Sequence, residues 1–272
     1  MSAQDRGTTS HDDAGTAARI LFVTGTNTDV GKTVATAALA SAALRAGRKV
    51  AVLKPGQTGV TDEEPGDAAE VRRLTGALTD DQLTIRELAR YPEPLAPDTA
   101  ARRSGLPYLS PAQVVSEVAE LAAGHDLVLV EGAGGLLVRY DDEGRTLADQ
   151  ARAVLDAGLP AEVLLIASAG LGTLNIVALT AEALAARRLP LTGVVVGSWP
   201  AAPGLAERCN LADLPRSAGA PLLGALPERA GQAEDFAALA ATSLAPELGG
   251  SWDAEHFAHV HRPEPTLLRS KV

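Results

Sequence analysis

Ile20-Leu21-Phe22-Val23-Thr24-Gly25-Thr26-Asn27-Thr28-Asp29-Val30-Gly31-Lys32-Thr33 is the stretch that decides the fold. It runs from a short apolar, β-rich segment through a turn of small and polar residues into an Ala-rich segment with helical spacing over 33–45. Strand, glycine-bearing turn and helix in that order make a phosphate-binding loop. Successive backbone N–H groups closed by a helix N-terminus collect positive partial charge where the phosphates of a nucleotide can sit. Gly31 permits close backbone approach, Lys32 can reach the outer phosphates, and the Thr33 hydroxyl is placed to ligate magnesium. Thr28, Asp29, Val30 and Val34 complete the expected nucleotide contact. Five residues separate Gly25 from Gly31, with Thr26 standing where the loop's usual first glycine would be, so the match is a variant. An ordinary turn would account for a glycine and a lysine here, but not for strand, Gly-Lys-Thr and helix together.

Further apolar runs at 50–53, 127–130, 163–167, 194–196 and 222–226 read as buried parallel strands, and 111–123, 147–157, 174–187 and 205–218 carry helical spacing. The alternation predicts an α/β fold: a single-domain, doubly wound, mostly parallel sheet with helices on both faces, like a P-loop NTPase. Ligands of such a sheet bind beyond the carboxyl ends of its strands. With 46% apolar but only 3% aromatic residues, the core must be built from Ala, Val and Leu. The domain is expected over 19–248, between a polar, disordered tail at 1–18 and a partly disordered tail at 249–272. The region 61–110 is richer in Pro, Asp and Glu and is expected to supply loops over the crevice.

The net charge of −10 and the absence of any Lys or Arg run argue against a nucleic-acid partner. No apolar stretch reaches the roughly 20 residues needed to span a bilayer, so no membrane association is expected. Cys209, the only cysteine, excludes an intramolecular disulfide framework and fits a reducing, cytoplasmic setting. His256, His259 and His261 lie close in sequence but read as incidental rather than as a metal tract.

Only four lysines occur, Lys32, Lys49, Lys54 and Lys271, so a lysine at a strand end needs a reason. Lys54 precedes Pro55-Gly56-Gln57-Thr58-Gly59 and should enter the same crevice as Lys32. Two ammonium groups would then flank one phosphoryl group, each good donor worth about 3 kcal/mol in the transition state. A solvated strand terminus is the bland alternative for Lys54. Glu131 ends an apolar strand where a carboxylate can meet a phosphate-bound magnesium ion, and Gly132-Ala133-Gly134-Gly135 frees N–H groups for an anion. Asp67 sits among Asp62, Glu63 and Glu64, and the residues alone leave it unassigned.

The motifs in their order, VTGTNTDVGKT, LKPGQTG, LVEGAGGLLV and LGTLN, resemble those of the dethiobiotin synthetases over about 20–245. That resemblance implies a reaction in which diaminopelargonic acid takes up CO2, supplied as bicarbonate, as a carbamate. A nucleoside triphosphate, ATP by family habit, phosphorylates the carbamate, and the neighbouring amine closes a ureido ring. It implies that Lys32 and Lys54 are catalytic, that Thr58 and Lys54 touch the substrate, and that Thr33, Asp67 and Glu131 surround Mg2+. It implies a homodimer with the substrate carboxylate near Gly172, Thr173 and Asn175, and nucleotide contacts from Gly132, Ala133, Gly134, Pro227, Glu228 and Arg229. Asp29 stands where the family often has Glu, and Gly197-Ser198 stands where many members carry an Asn-Asp pair that reads adenine, which leaves the choice of base open. The physical reading agrees in part, since Gly172 and Thr173 open a helix whose free N–H groups suit a carboxylate.

Three other readings compete. A partitioning ATPase of the deviant-Walker kind would carry an extra lysine near the loop's start, where this chain has Thr26 and Asn27. An amide-forming synthetase of the cobyrinic acid type would be followed by a Cys-His amidotransferase half, and none follows. A non-catalytic nucleotide-fold domain has no use for both lysines.

Overall fold

Strand β1 (Arg19–Gly25) sends Ile20 and Phe22 into one apolar layer and Leu21 and Val23 into another, so it is buried on both faces. That pattern belongs to the centre of a parallel sheet covered by helices. The structure, a computed structural model, describes residues 17–264 apart from 78 and 80; residues 1–16 of the tail expected over 1–18, and residues 265–272, lie outside the described residues.

Six strands join β1: β2 (Val50–Thr58), β3 (Leu83–Tyr91), β4 (Leu127–Gly135), β5 (Ala161–Ser168), β6 (Leu191–Trp199) and β7 (Leu222–Pro227). They form one sheet in the order β3-β2-β4-β1-β5-β6-β7, with every neighbouring pair parallel. Helices α1 (Lys32–Arg45) and α2 (Asp67–Thr75) cover one face, joined by α7 (Leu205–Ala218) and α8 (Phe236–Ser243) through Leu211, Leu214, Phe236 and Ala240. On the other face lie α4 (Pro111–Ala122), α5 (Leu147–Asp156) and the end of α6 (Thr173–Ala186), represented by Val118, Val154 and Leu184. This is the doubly wound fold expected from the sequence. Alanine makes α1 thin enough to lie flat on the sheet: Ala35, Ala37, Ala38 and Ala40 are completely buried. No helix among the described residues is long and apolar enough to cross a membrane.

The region 61–110 departs from the expectation of loops. It holds α2, β3 and α3 (Pro97–Ser104), with β3 paired to β2 from Val50↔Leu83 to Thr58↔Tyr91. β3 is an edge strand, and most of its middle residues are only half-buried, so Arg86, Glu87 and Arg90 can occupy it without being buried. Charges of that kind protect an open edge and also break the apolar run by which a strand is recognised. The segment after 248, expected as a tail, carries α9 (Ala254–Val260), with Trp252 buried ahead of it.

Candidate active site

The β2–β4 ladder runs from Val50↔Leu127 to Leu53↔Val130 and then stops. The next residue on each strand is Lys54 on β2 and Glu131 on β4, and there the two side chains meet, Lys54 Nζ donating to Glu131 Oε1 at 2.9 Å. Lys54 also donates to the Gly132 carbonyl at 3.3 Å and pairs with Asp67 Oδ2 at 2.5 Å. Asp67 is the first residue of α2, so its carboxylate stands at the positive end of that helix. Its position is set by Gln57, whose Oε1 accepts the Asp67 backbone N–H at 2.8 Å while Nε2 donates to Thr58 O at 3.1 Å. Glu131 Oε1 also accepts from the Thr33 hydroxyl at 2.9 Å, which ties the start of α1 to β4.

The phosphate loop closes on itself. Gly31, at φ 92°, forms the N-cap of α1, and a Cβ there would lie 2.4 Å from the Gly197 carbonyl oxygen. A Cβ on Gly197 would in turn run into Val30 O, so the end of β6 and the loop fit together only as glycines. Lys32 Nζ donates to Asn27 O at 2.9 Å across the loop. Burial, with the Lys54 charge second, lowers the Lys32 pKa, against the pull of Glu131, Asp67 and Asp29. Burial also acts to lower the pKa of Lys54, but Glu131 and Asp67 outweigh it and hold that pKa above the ordinary lysine value. Asp29 stands in the left-handed region at φ 56°.

A cleft of about 420 Å³ is lined by Lys32, Lys54, Thr28, Asp29, Gly31, Thr33, Val34, Gln57, Thr58, Asp67, Ala133 and Gly134. The two lysines thus open into one cavity. Glu131 lies beneath it, 1% exposed. Val30 and Gly132 belong to the same loops but do not line the cleft, and neither do Gly197, Ser198, Pro227, Glu228 and Arg229. Gly197 lies against the loop, and the ends of β6 and β7 meet where Trp199 pairs with Pro227 and its carbonyl accepts the Glu228 N–H at 2.7 Å. Gly172, Thr173 and Asn175 open α6 and do not line the cleft. The Thr173 side chain is buried, with a hydroxyl that has no partner, whereas Gly172 and Asn175 are exposed.

The oxygen donors of Thr33, Asp67 and Glu131 converge. Both carboxylates reach the single atom Lys54 Nζ, and the threonine hydroxyl bonds one of them. Two carboxylates and a hydroxyl, short of a full cage, suit magnesium completed by phosphate oxygens and water. No group of three or more His, Cys, Asp or Glu side chains among the described residues could hold a metal, the tail histidines included.

Two residues missing from the sequence argument belong to this site. Gln57 is 4% exposed and was visible only as part of LKPGQTG. Tyr140, fully buried, accepts the Ala133 N–H on its hydroxyl at 2.7 Å and so shapes the glycine turn after β4; burial raises its pKa. Nothing in the sequence around Tyr140 signals that contact.

Residues 19–234 match the family described as AAA domain. The chain is 60% identical over 246 residues to the ATP-dependent dethiobiotin synthetase BioD of Streptomyces avermitilis, covering 90% of this chain and 99% of that one. It is 62% identical over 236 residues to the protein of the same name from Saccharopolyspora erythraea, covering 86% and 98%. Among solved structures, it superposes on the Pyrococcus furiosus cell division ATPase MinD with a TM-score of 0.50 at 17% identity, covering 82% of this chain and 97% of that chain. Chloroplast FtsY from Physcomitrella patens gives 0.53 at 21%, covering 94% and 69%. At these identities the two structures speak for the fold alone. From the family match and the curated relatives together, the chain belongs to the ATP-dependent dethiobiotin synthetases of the AAA-domain family.

Proposed function

We propose that the cleft phosphorylates a carbamate and holds it while a neighbouring amine closes a ring. The observation that carries this is the single cavity into which Lys32, Lys54 and Thr58 all open. One amine of diaminopelargonic acid adds to CO2, and the carbamate forms beside Lys54 and Thr58. A carbamate oxygen attacks the terminal phosphorus of ATP, breaking its bond to the bridging oxygen, and ADP leaves. The second amine then attacks the carbamoyl carbon, inorganic phosphate departs with the bond pair, and the ureido ring of dethiobiotin results. Lys32 follows the migrating phosphoryl group and Lys54 offsets the charge of the carbamate, both side chains being buried and so preorganised as donors. No enzyme nucleophile is required.

Thr33, Asp67 and Glu131 would hold Mg2+, which when bound neutralises charge on the phosphate oxygens. Thr28, Asp29, Val30, Gly31 and Val34 would cradle the phosphates together with Gly132, Ala133 and Gly134. Gly197, Ser198, Pro227, Glu228 and Arg229 would surround the base. The substrate carboxylate would rest on Gly172, Thr173 and Asn175 at the start of α6, completed by a second copy of the chain. Leu171 is 93% exposed beside them, with Ile176 and Leu179 exposed on the next turns of the helix. Apolar exposure of this kind favours a homodimer. The cytoplasm, where ATP and magnesium are supplied, is the proposed location.

The test supplies diaminopelargonate, bicarbonate, magnesium and a panel of triphosphates, and looks for the cyclic urea by mass spectrometry. Ring product that depends on triphosphate is expected. Triphosphate hydrolysis without ring closure would overturn the reading.

A further inference from the structure

Beyond the cleft, one aromatic cluster connects the C-terminal helix to the proposed base-holding turns. The β6–β7 ladder is irregular, shifting register twice before its last pair, Trp199↔Pro227. The ladder is therefore locally disrupted just where both strands end. Trp199 is 6% exposed, and its indole N–H has no partner, so packing alone fixes the ring. Trp199 belongs to the main core layer, and its aromatic contacts come from α9 and the residue that follows it. Phe257 meets the Trp199 ring edge-to-face at 5.3 Å and His261 does so at 5.1 Å. Phe257 lies in the helix and His261 is its C-cap, one turn on, and their ring centres are 4.5 Å apart. Trp252 closes the cluster against Phe257 at 5.3 Å.

From Trp199 the contact passes on in two directions. Its carbonyl accepts the Glu228 N–H at 2.7 Å, which fixes the turn Pro227-Glu228-Arg229. Two residues earlier on the same strand, Gly197 lies against Val30 and Gly31 of the phosphate loop. The far end of the turn is held separately, since Arg73 of α2 donates to Gly231 O at 3.1 Å. The turn after β7 is thus clamped by α2 on one side and, through Trp199, by α9 on the other.

We propose that α9 is a positioning element for the nucleotide base: Phe257 and His261 fix Trp199, and Trp199 fixes the two turns between which the base lies. This rests on the reading of Gly197-Ser198 and Pro227–Arg229 as the base site. An α9 of seven residues is too short to be stable alone. Its docking, and with it the width of the base site, therefore follows the aromatic cluster.

The test compares magnesium complexes of ATP and of inorganic tripolyphosphate, which engages the phosphate loop but has no base, by titration calorimetry on the full chain. Phe257→Ala is expected to weaken ATP binding about tenfold, to raise the KM for ATP without changing kcat, and to leave tripolyphosphate affinity unchanged. Half-exposed His261→Ala and the bulk-preserving Phe257→Leu should move in the same direction by less, with unaltered circular dichroism. If wild type favours ATP over tripolyphosphate but none of the three variants changes ATP affinity, α9 does not position the base. Equal losses for both ligands would also overturn the proposal, since they mean damage to the phosphate loop. Wild type binding both ligands equally would refute the base site itself.

Discussion

Lys32 and Lys54 line the same cleft, yet the phosphate loop gives its lysine one neutral partner, Asn27 O at 2.9 Å, while the end of β2 gives its lysine two carboxylates, at 2.5 and 2.9 Å. Lys54 is a buried charge already compensated before any ligand arrives. Lys32 is a nearly buried charge that a carbonyl compensates poorly, which suits the phosphate contact proposed for it. Two residues of one type, one in β2 and one opening α1, therefore sit in different surroundings: Lys54 holds strand end, helix and carboxylates in register besides the carbamate role proposed for it, and Lys32 keeps a charge that no paired carboxylate offsets, as its proposed phosphate role requires. Sequence spacing could bring them together but could not tell them apart.

The largest effect should follow removal of Lys54. Lys54→Ala leaves Glu131 buried without its cation, which costs about 3–5 kcal/mol of stability, and ring formation should also be lost. Urea unfolding followed at equilibrium would measure the first effect; unchanged stability would mean that the two lysines are not different in kind. Lys32→Ala is expected to cost far less stability than Lys54→Ala, because it removes a poorly compensated charge and leaves no carboxylate unpaired, while turnover falls by about a hundredfold or more, as for loss of one preorganised donor. A large stability loss in this variant would erase the contrast from the other side. Tyr140→Phe should cost about 1 kcal/mol by leaving the half-buried Ala133 N–H without its acceptor. Lys54 leans on the Gly132 carbonyl of the same turn, so this variant should also lower kcat more than it changes the KM for ATP.

The smallest effect is in the pH dependence. The lowered Lys32 pKa means the folded enzyme holds that proton less tightly than the unfolded chain, so the charged lysine opposes folding at neutral pH. Lys32→Met should therefore be slightly more stable than wild type near pH 7. The gap should close as pH rises from the lowered pKa to the ordinary lysine value of 10.5. Lys54 has the opposite sign. Its raised pKa contributes stability in full below 10.5, and that contribution is lost as pH climbs through the higher folded-state value. Thermal unfolding of wild type and Lys32→Met across pH 7 to about 11 would read the difference; a gap that widens with pH would contradict it.

The central strands were legible because each is an uninterrupted apolar run buried on both faces, as in Leu127–Val130 of β4. The edge strand β3 was not, because a half-exposed strand can carry Arg86, Glu87 and Arg90 and so loses the apolar signature. Helices α2 and α3 are short and polar, with Arg72, Arg73, Arg102 and Arg103 in their last turns, and they hid in the same charged region. In the site, the loop from Thr28 to Thr33 could be read locally, since its strand, turn and helix are contiguous. Asp67 could not be distinguished from its acidic neighbours, because the choice is made by Lys54 and Gln57, which only the β2–α2 packing brings to it. Tyr140 depends on a tertiary contact in the same way, and α9 on an aromatic cluster that draws on Trp199 from a distant strand.

The central claim is that this cleft transfers phosphoryl from ATP to a carbamate oxygen. A single turnover with diaminopelargonate, ATP, magnesium and oxygen-18-labelled carbon dioxide tests it most directly, with mass spectrometry of both products. The account predicts a cyclic urea together with inorganic phosphate that carries one labelled oxygen derived from the carbamate. Cyclic urea formed alongside wholly unlabelled phosphate would contradict it.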